Sequence, residues 1–370
     1  MALSVFPGVL GLCVLLGSWG RCGPIPRLEE RVDMQEVLGQ FLHMLNLTDP
    51  GPGLKPRSSR TKPPEYMLEL YNRFANDGSA TPPANIVRSF RNEDHTLSKS
   101  LRTHRLLFNL SVPQHERVVS AELRLHTLLQ RDSVQRIGSG WQVSVFDTHR
   151  AGRYGTGERD PLASKHVHRE ESGWEVFDMT NAVQHWRKLN IVTPRLEVHI
   201  ENAFRNTKED LDIDKNPDGQ HEPLLIVFSD DQSYRMKEEN NELRSNEEQV
   251  RSINDVSRVR RSAAAEDCRI AEMRVEFKDI GWDNFVLAPA GYQAYTCRGV
   301  CDYPLAPEVT PTKHAIIQAL LNLKSPQKAQ KACCVPTELK PISLLYLNDN
   351  GVVVLNNKYE GMVVKECGCR

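Results

Sequence analysis

The 370-residue chain carries 47 Lys+Arg against 48 Asp+Glu, so it is nearly neutral and makes no electrostatic case for a nucleic-acid partner. The length suffices for two domains with cores of their own. Its 9 cysteines are unevenly spread, with Cys13 and Cys22 near the N-terminus, seven from Cys268 onward and none in 23–267, which points to a disulfide-built domain made in an oxidising compartment.

Residues 10–19 are an apolar run, followed by small Gly20 and a polar, proline-containing stretch. This predicts a signal peptide over 1–20, cleaved near 20–22. The run is too short to span a bilayer, and no later segment reaches that length, so the expected product is secreted, extracellular and not membrane-spanning. Residues 21–261 then read as a pro-region. Met34, Val37, Leu38, Phe41, Leu42 and Leu45 recur at the three-four spacing of one helical face. Met67, Leu70, Tyr71 and Phe74 do the same after Pro63-Pro64, so helices are predicted within 34–76. Asn46-Leu47-Thr48 and Asn109-Leu110-Ser111 place N-glycosylation sequons at Asn46 and Asn109.

From about 100 to 230 the apolar period becomes two. Val119, Ala121, Leu123 and Leu125 alternate with polar residues, as do Trp141, Val143 and Val145, and Leu196, Val198 and Ile200; residues 224–228 are continuously apolar. The expectation is an α+β pro-region whose arm is an antiparallel β-sandwich-like domain, with a short helix from Asn181 capped by Thr180. Two clusters suggest metal but fall short. His166-Val167-His168 lacks a second pair of ligands. Asp210-Leu211-Asp212-Ile213-Asp214 opens like a calcium loop, but Lys215 stands where glycine is needed and His221 where a bidentate acid belongs. No metal or cofactor is therefore expected.

Residues 231–261 form a charged linker that ends in Arg258-Val259-Arg260-Arg261, followed by Ser262 and alanines. An acidic protease pocket gains from several guanidinium groups at once, so a subtilisin-like convertase is expected to cut after Arg261. The released piece, 262–370, reads as two β-ribbons and one helix over 312–323, capped by Thr310 or Thr312. Residues 277–282 and 286–289 are read as strand pieces of the first ribbon, and Asn348-Asp349-Asn350-Gly351 as the turn of the second.

Six paired cysteines allow fifteen connectivities, which spacing alone does not resolve. The close pairs Cys297/Cys301 and Cys367/Cys369 each straddle glycine and lie on different ribbons. Bridging 297 to 367 and 301 to 369 closes a small ring. One of the adjacent Cys333 and Cys334 then threads it to Cys268, and the other faces outward. Zinc is disfavoured, because Cys-x-Cys and Cys-Cys are not zinc-knuckle spacings.

These residues resemble the transforming-growth-factor-β superfamily. The stretches Asp279-Ile280-Gly281-Trp282, Ala288-Pro289, Cys334-Val335-Pro336-Thr337 and Cys367-Gly368-Cys369-Arg370 look like bone morphogenetic proteins. Thr310-Pro311-Thr312-Lys313-His314-Ala315-Ile316 and Tyr359-Glu360-Gly361-Met362 look like the branch of proteins nine and ten. So do pro-region stretches 63–71 and 85–90, while 224–231 leans towards ten. The resemblance implies a small cystine-knot growth-factor domain with one helix and two β-ribbon fingers. It implies bridges Cys268–Cys334, Cys297–Cys367 and Cys301–Cys369, with Cys333 joining two protomers into a homodimer.

The resemblance further implies a type I receptor surface of Trp282, Phe285, Pro304, Leu305, Thr310 and Lys313, with Tyr359 and Met362 from the partner chain. It implies a type II activin/bone-morphogenetic-protein receptor surface of Ala288, Pro289, Ser343, Leu345 and Leu355, exposed for contact. The branch points to a type I receptor resembling activin-receptor-like kinase one, an endoglin-like co-receptor, SMAD signalling and a cardiovascular or endothelial setting. Its pro-region stays bound non-covalently after cleavage, with the helix of 34–45 on the dimer and a helix within 235–250 over the type II surface. Phe285 departs from the tryptophan usual there. No enzyme is expected, since the C-terminal piece has one histidine, His314, and no cysteine left to act as a nucleophile. An extracellular cystine-knot antagonist or matrix module is the other reading, but it would need neither the pro-region nor the convertase site.

Overall fold

A computed structural model describes residues 62–76, 84–96, 102–129, 140–148, 160–168, 171–202, 211–217, 220–231 and 267–370. The signal peptide, the helices expected in 34–45 and 235–250, Asn46 and the cleavage site Arg258 to Ser262 lie outside them. So do Cys13 and Cys22.

Pro63-Pro64 leads into helix α1 (Glu65–Asn76), where the Pro64 carbonyl accepts from Met67 N at 2.9 Å. Glu65 in the first turn and Arg73 in the last both oppose the helix dipole. Met67 and Leu70 are buried, with Tyr71 and Phe74 packed beside them, so the predicted apolar face is the one used.

The arm that follows has two sheets. Its strands are β1 (Ile86–Arg91), β2 (Thr103–Leu107), β3 (Glu116–Leu129), β4 (Trp141–Asp147), β5 (Ala163–Val167) and β6 (Gly173–Asp178), then β7 (Arg195–Asn202), β8 (Leu211–Ile213) and β9 (Leu224–Asp231). Helix α2 (Thr180–Lys188) lies between β6 and β7. A four-stranded sheet of order β2-β7-β4-β5 faces β3, β6 and β9 of the larger sheet. Leu123, Leu125, Trp141, Val143, Val198 and Trp186 fill the space between them. Trp186 is fully buried and its indole N–H is satisfied there, donating to Asp147 Oδ2 at 2.8 Å.

Two local expectations change here. Val119 was grouped with Ala121, Leu123 and Leu125, but a β-bulge between Val118 and Ser120 shifts the phase by one residue. Val118 therefore faces the arm core and Val119 the opposite side of the sheet. Thr180 is not the cap of α2. Met179 occupies that position without a side-chain bond, and Thr180 Oγ1 instead accepts from Ala121 N at 3.0 Å, tying the helix to β3.

The C-terminal region is thinner. The first ribbon is broken into β10 (Arg269–Ala271), β11 (Arg274–Glu276), β12 (Val286–Ala288), β13 (Gly291–Gln293) and β14 (Thr296–Arg298). Residues expected as strand at 277–282 instead form a 3₁₀ turn, Phe277–Ile280, closed by Gly281 at φ 74°. The left-handed closure bends the chain so that Trp282 and Phe277 lie on one side. Helix α3 (Lys313–Lys324) is capped by Thr312, whose Oγ1 accepts from Ala315 N at 3.1 Å. Its Ala315 and Ala319 are buried, whereas Ile316, Ile317, Leu321 and Leu323 are exposed.

The second ribbon is long: β15 (Cys334–Leu347) pairs with β16 (Val353–Cys369). Its turn is held by Asn348, whose Oδ1 accepts from Asn350 N and Val352 N at 3.1 and 2.9 Å, with Gly351 at φ 72°.

The knot carries bridges Cys268–Cys334, Cys297–Cys367 and Cys301–Cys369, closing separations of 66, 70 and 68 residues. Each is worth about 2–4 kcal/mol against the unfolded chain, which a domain with so small a core needs. Gly299 sits at φ 123°, and a Cβ there would come 2.4 Å from Asp267 O, just where the Cys268 segment passes. Gly368 is glycine for another reason: its Cβ would meet Thr337 Cγ2 at 2.7 Å and Val309 O at 2.9 Å.

The two regions are one sheet. The larger sheet has eight strands in the path β12-β15-β16-β1-β9-β3-β6, with β8 paired to β3. Strand β1 of the arm runs antiparallel to β16, matching Ile86 with Asn356 and Ser89 with Val353. On its other edge β1 pairs with β9.

Candidate functional site: two faces of the long ribbon

Alternation along β15 and β16 sends successive side chains to opposite faces. Leu344, Tyr346, Val354 and Tyr359 go to one face, termed the concave face; Leu345, Val353 and Leu355 go to the other, termed the convex face.

The concave face carries an aromatic row. Tyr292 and Trp282 flank Phe277 with ring centroids 5.6 and 6.1 Å away, and Phe285 follows at 5.8 Å from Trp282. Such spacings suit offset aromatic pairs. Burial of its ring pushes the Tyr292 phenol above its ordinary pKa. Phe277 is buried, while Trp282, Phe285 and Met362 keep part of their surface. Tyr359 and Met362 belong to this cluster within one chain. They were expected to come from the partner, opposite Trp282 and Phe285, but one protomer supplies all four.

The remaining residues of the expected type I set lie with the knot. Leu305 packs on the knot cluster, and Pro304 follows a cis peptide on the exposed loop. Thr310, at φ 37°, donates from Oγ1 to Glu366 Oε1 at 2.7 Å, while its carbonyl accepts from Arg370 at 2.6 Å. Lys313 is exposed at the start of α3. The set thus divides into an aromatic half and a loop half in different clusters of the chain.

The convex face is covered. Leu345 and Leu355 are each 0 % exposed, packed with Met67 and Leu70 of α1, while Val87 of β1 stands beside Leu355 in the same sheet; Ala288 packs at the edge of the same cluster. Their expected exposure does not hold in the full-length chain. The cover is formed by 65–76 and 86–91; the 235–250 segment expected there lies outside the described residues. Pro289 stays half-exposed after a cis bond, and Ser343 Oγ donates to Asn357 O at 3.4 Å.

The cover is anchored to the arm by contacts that sequence reasoning missed. Arg88 of β1 and Glu116 of β3 form a buried bidentate pair, Arg88 Nη2 donating to Glu116 Oε1 at 2.7 Å. Ser229 Oγ donates to Glu116 Oε2 at 2.6 Å. A buried charge pair persists only when its hydrogen bonds are met, and here they are. Beside α1, the Arg124 guanidinium lies 3.6 Å from the Tyr66 ring centroid. Burial raises the phenols of Tyr66 and Tyr71 above their ordinary pKa, as their position under the sheet requires. The hint in the sequence was the run Ile86-Val87-Arg88-Ser89-Phe90, too polar for a central strand unless its charge has a partner.

Cys333 is half-buried next to the knot. Its N–H donates to Arg370 O at 2.8 Å and its carbonyl accepts from Arg370 N at 2.9 Å. Asn109 is exposed between buried Phe108 and Leu110, as a glycan acceptor must be. His166 and His168 stand exposed on β5 and just beyond it, 6.5 Å apart, with no third metal-binding group beside them among the described residues.

Comparison with known proteins agrees with this architecture. Residues 267–369 match the transforming growth factor beta like domain and residues 25–228 match the TGF-beta propeptide. The chain belongs to the transforming growth factor β family. It is 47 % identical to bone morphogenetic protein 10 of Mus musculus over 91 % of this chain and 87 % of that protein. Identity to the Homo sapiens protein of that name is 46 % over the same shares. Growth/differentiation factor 2 of Mus musculus is 38 % identical, again over 91 % and 87 %. The chain is therefore a growth factor of the bone morphogenetic protein type made with its propeptide. No helix among the described residues is long and apolar enough to cross a membrane.

Proposed function

We propose that this chain is secreted, cut after Arg261 by a subtilisin-like convertase, and acts as a dimer that brings type I and type II receptor serine/threonine kinases together to drive SMAD signalling. The observation that supports this reading best is the division of one knot-clamped ribbon into two apolar faces. The aromatic row of Trp282 and Phe285 points one way, while Ala288, Leu345 and Leu355 point the other. Large apolar and aromatic surfaces of this kind are what protein partners use as hot spots. The function is geometric and involves no catalysis. A two-fold dimer presents each face twice and gains avidity on a membrane.

The split type I set also favours a dimer. The aromatic half from one protomer and the loop half of Pro304, Leu305, Thr310 and Lys313 from the other would complete one surface. The exposed Ile316, Ile317 and Leu323 of α3 give a second copy an apolar helix to cover. Cys333 is proposed as the cross-link between copies. By similarity to its relatives, the type I receptor resembles activin-receptor-like kinase one, with an endoglin-like co-receptor on endothelium. The pro-region remains bound after cleavage and competes with the type II receptor for Leu345 and Leu355.

Gels of the secreted product, with and without reductant, test the cross-link. A C-terminal species that halves in mass on reduction is expected. One that releases a pro-region fragment instead places the Cys333 bond within the precursor and overturns the proposal. The receptor reading is tested by binding the purified 262–370 dimer to type I ectodomains, and failure to bind the kinase-one type would remove it.

A further inference from the structure

The stretch that fails as a calcium loop has a different outcome in three dimensions. Asp214 follows β8 directly and opposes His126 of β3, donating its N–H to the His126 carbonyl at 2.9 Å. On the other side of His126, across the β3–β6 pairing, stands Trp174. The chain then returns so that the His221 ring lies over His126, with centroids 4.0 Å apart and planes 11° from parallel. His221 Nδ1 is 3.7 Å from Asp214 Oδ2. One donor atom from each of the three residues lies within 4.8 Å of the other two.

We propose that His126, Asp214 and His221 form a site for a divalent transition metal of borderline softness, with Zn²⁺ as its probe. The donor set decides the class. Two imidazole nitrogens and one carboxylate are poor ligands for Ca²⁺, which takes six to eight oxygens. They are the usual ligands of Zn²⁺, and three protein donors leave a fourth position for water.

The distances are close to those required. Tetrahedral ligands at metal bonds of ~2.0–2.1 Å sit about 3.4 Å apart, so donors up to 4.8 Å apart must close by as much as about 1.4 Å. The near-parallel rings must also turn, because in-plane lone pairs of stacked imidazoles do not converge. His221 can supply that turn, lying on a turn segment with 45 % of its side chain exposed. Asp214 is already oriented, its Oδ1 accepting from Asn216 N at 3.0 Å while Oδ2 faces His221. Trp174 walls the site, its ring 5.3 Å from His126 and 6.0 Å from His221 in edge-on contacts.

The test uses the secreted pro-region–growth-factor complex, dialysed against chelator and titrated calorimetrically with Zn²⁺. Binding of one Zn²⁺ per chain is expected, unaffected by Ca²⁺ and weakened on the order of tenfold or more in His221→Gln and in Asp214→Asn. Co²⁺ should quench tryptophan fluorescence, and Trp174→Phe should abolish most of that quenching while leaving Zn²⁺ binding in place. His221 is half-exposed, so secretion of His221→Gln at the wild-type level serves as the folding control. If His221→Gln does not secrete, Trp174→Phe carries the test through the Co²⁺ signal. Absence of Zn²⁺ binding, equal affinity in His221→Gln, or quenching that survives Trp174→Phe would each overturn the assignment.

Discussion

The two faces of the β15–β16 ribbon are built from the same alternating strands, yet they differ in what the precursor leaves open. On the convex face Leu345 and Leu355 are sealed by α1, with β1 flanking them in the same sheet. On the concave face Trp282, Phe285 and Met362 remain partly accessible beside buried Phe277 and Tyr359. The difference comes from how each neighbour binds. The convex face meets a helix with its own apolar stripe, while β1 reaches the concave cluster mainly through Ile86. Covering one face is thus a sheet-and-helix matter, achieved by backbone pairing of β1 with β16 and by side-chain packing of α1. In the full-length chain, therefore, one face is hidden and the other is partly open.

That contrast can be broken at its anchor. Arg88→Ala removes one partner of the buried pair and leaves Glu116 desolvated, so a loss of about 3–5 kcal/mol is expected. Denaturant unfolding should register it, and hydrogen exchange should show β1 losing protection before the arm core. Met67→Ala acts on the cover itself. Emptying a fully buried methionine site costs about 2–5 kcal/mol, with earlier release of the cleaved pro-region and faster type II ectodomain binding as the readout. Unchanged release would mean that α1 contributes little to the cover.

Smaller changes sharpen it. Tyr66→Leu keeps the apolar contact but removes the nearer of the two cation–π partners of Arg124, leaving Trp174 at 5.9 Å, an expected loss of about 0.5–2 kcal/mol in pro-region affinity. Phe285→Trp enlarges the open face alone. It should tighten type I ectodomain binding by about 0.5–1.5 kcal/mol and leave pro-region retention unchanged, measured by surface binding of each component. An effect of Phe285→Trp on pro-region release would show that the faces are not independent.

Much of the local structure was legible. The apolar stripe Met67, Leu70, Tyr71, Phe74 formed a helix because its period of three to four leaves one face to bury. Trp141, Val143 and Val145 are buried in strict alternation, as their pattern required. The misreadings have identifiable causes. Val119 sits beyond a bulge, and a bulge leaves no mark in a row of alternating residues. The 277–282 stretch looks like a strand by composition, but Gly281 in the left-handed region ends it as a turn. Of the candidate site, the residues of both faces were identifiable by resemblance; their accessibility and their grouping within one chain were not.

The sequence by itself determined the spacing of the close cysteine pairs, the apolar period of each element, and, through its motifs, the resemblance to the family. Those are properties of neighbours along the chain, or of motifs that stay intact when read linearly. Only the tertiary structure decided that β1 extends the finger sheet, that α1 covers Leu345 and Leu355, and that Asp214 and His221 come to rest against His126. Each depends on contacts between residues far apart in sequence, whose pairing is set by competition for buried surface and backbone hydrogen bonds across the whole fold.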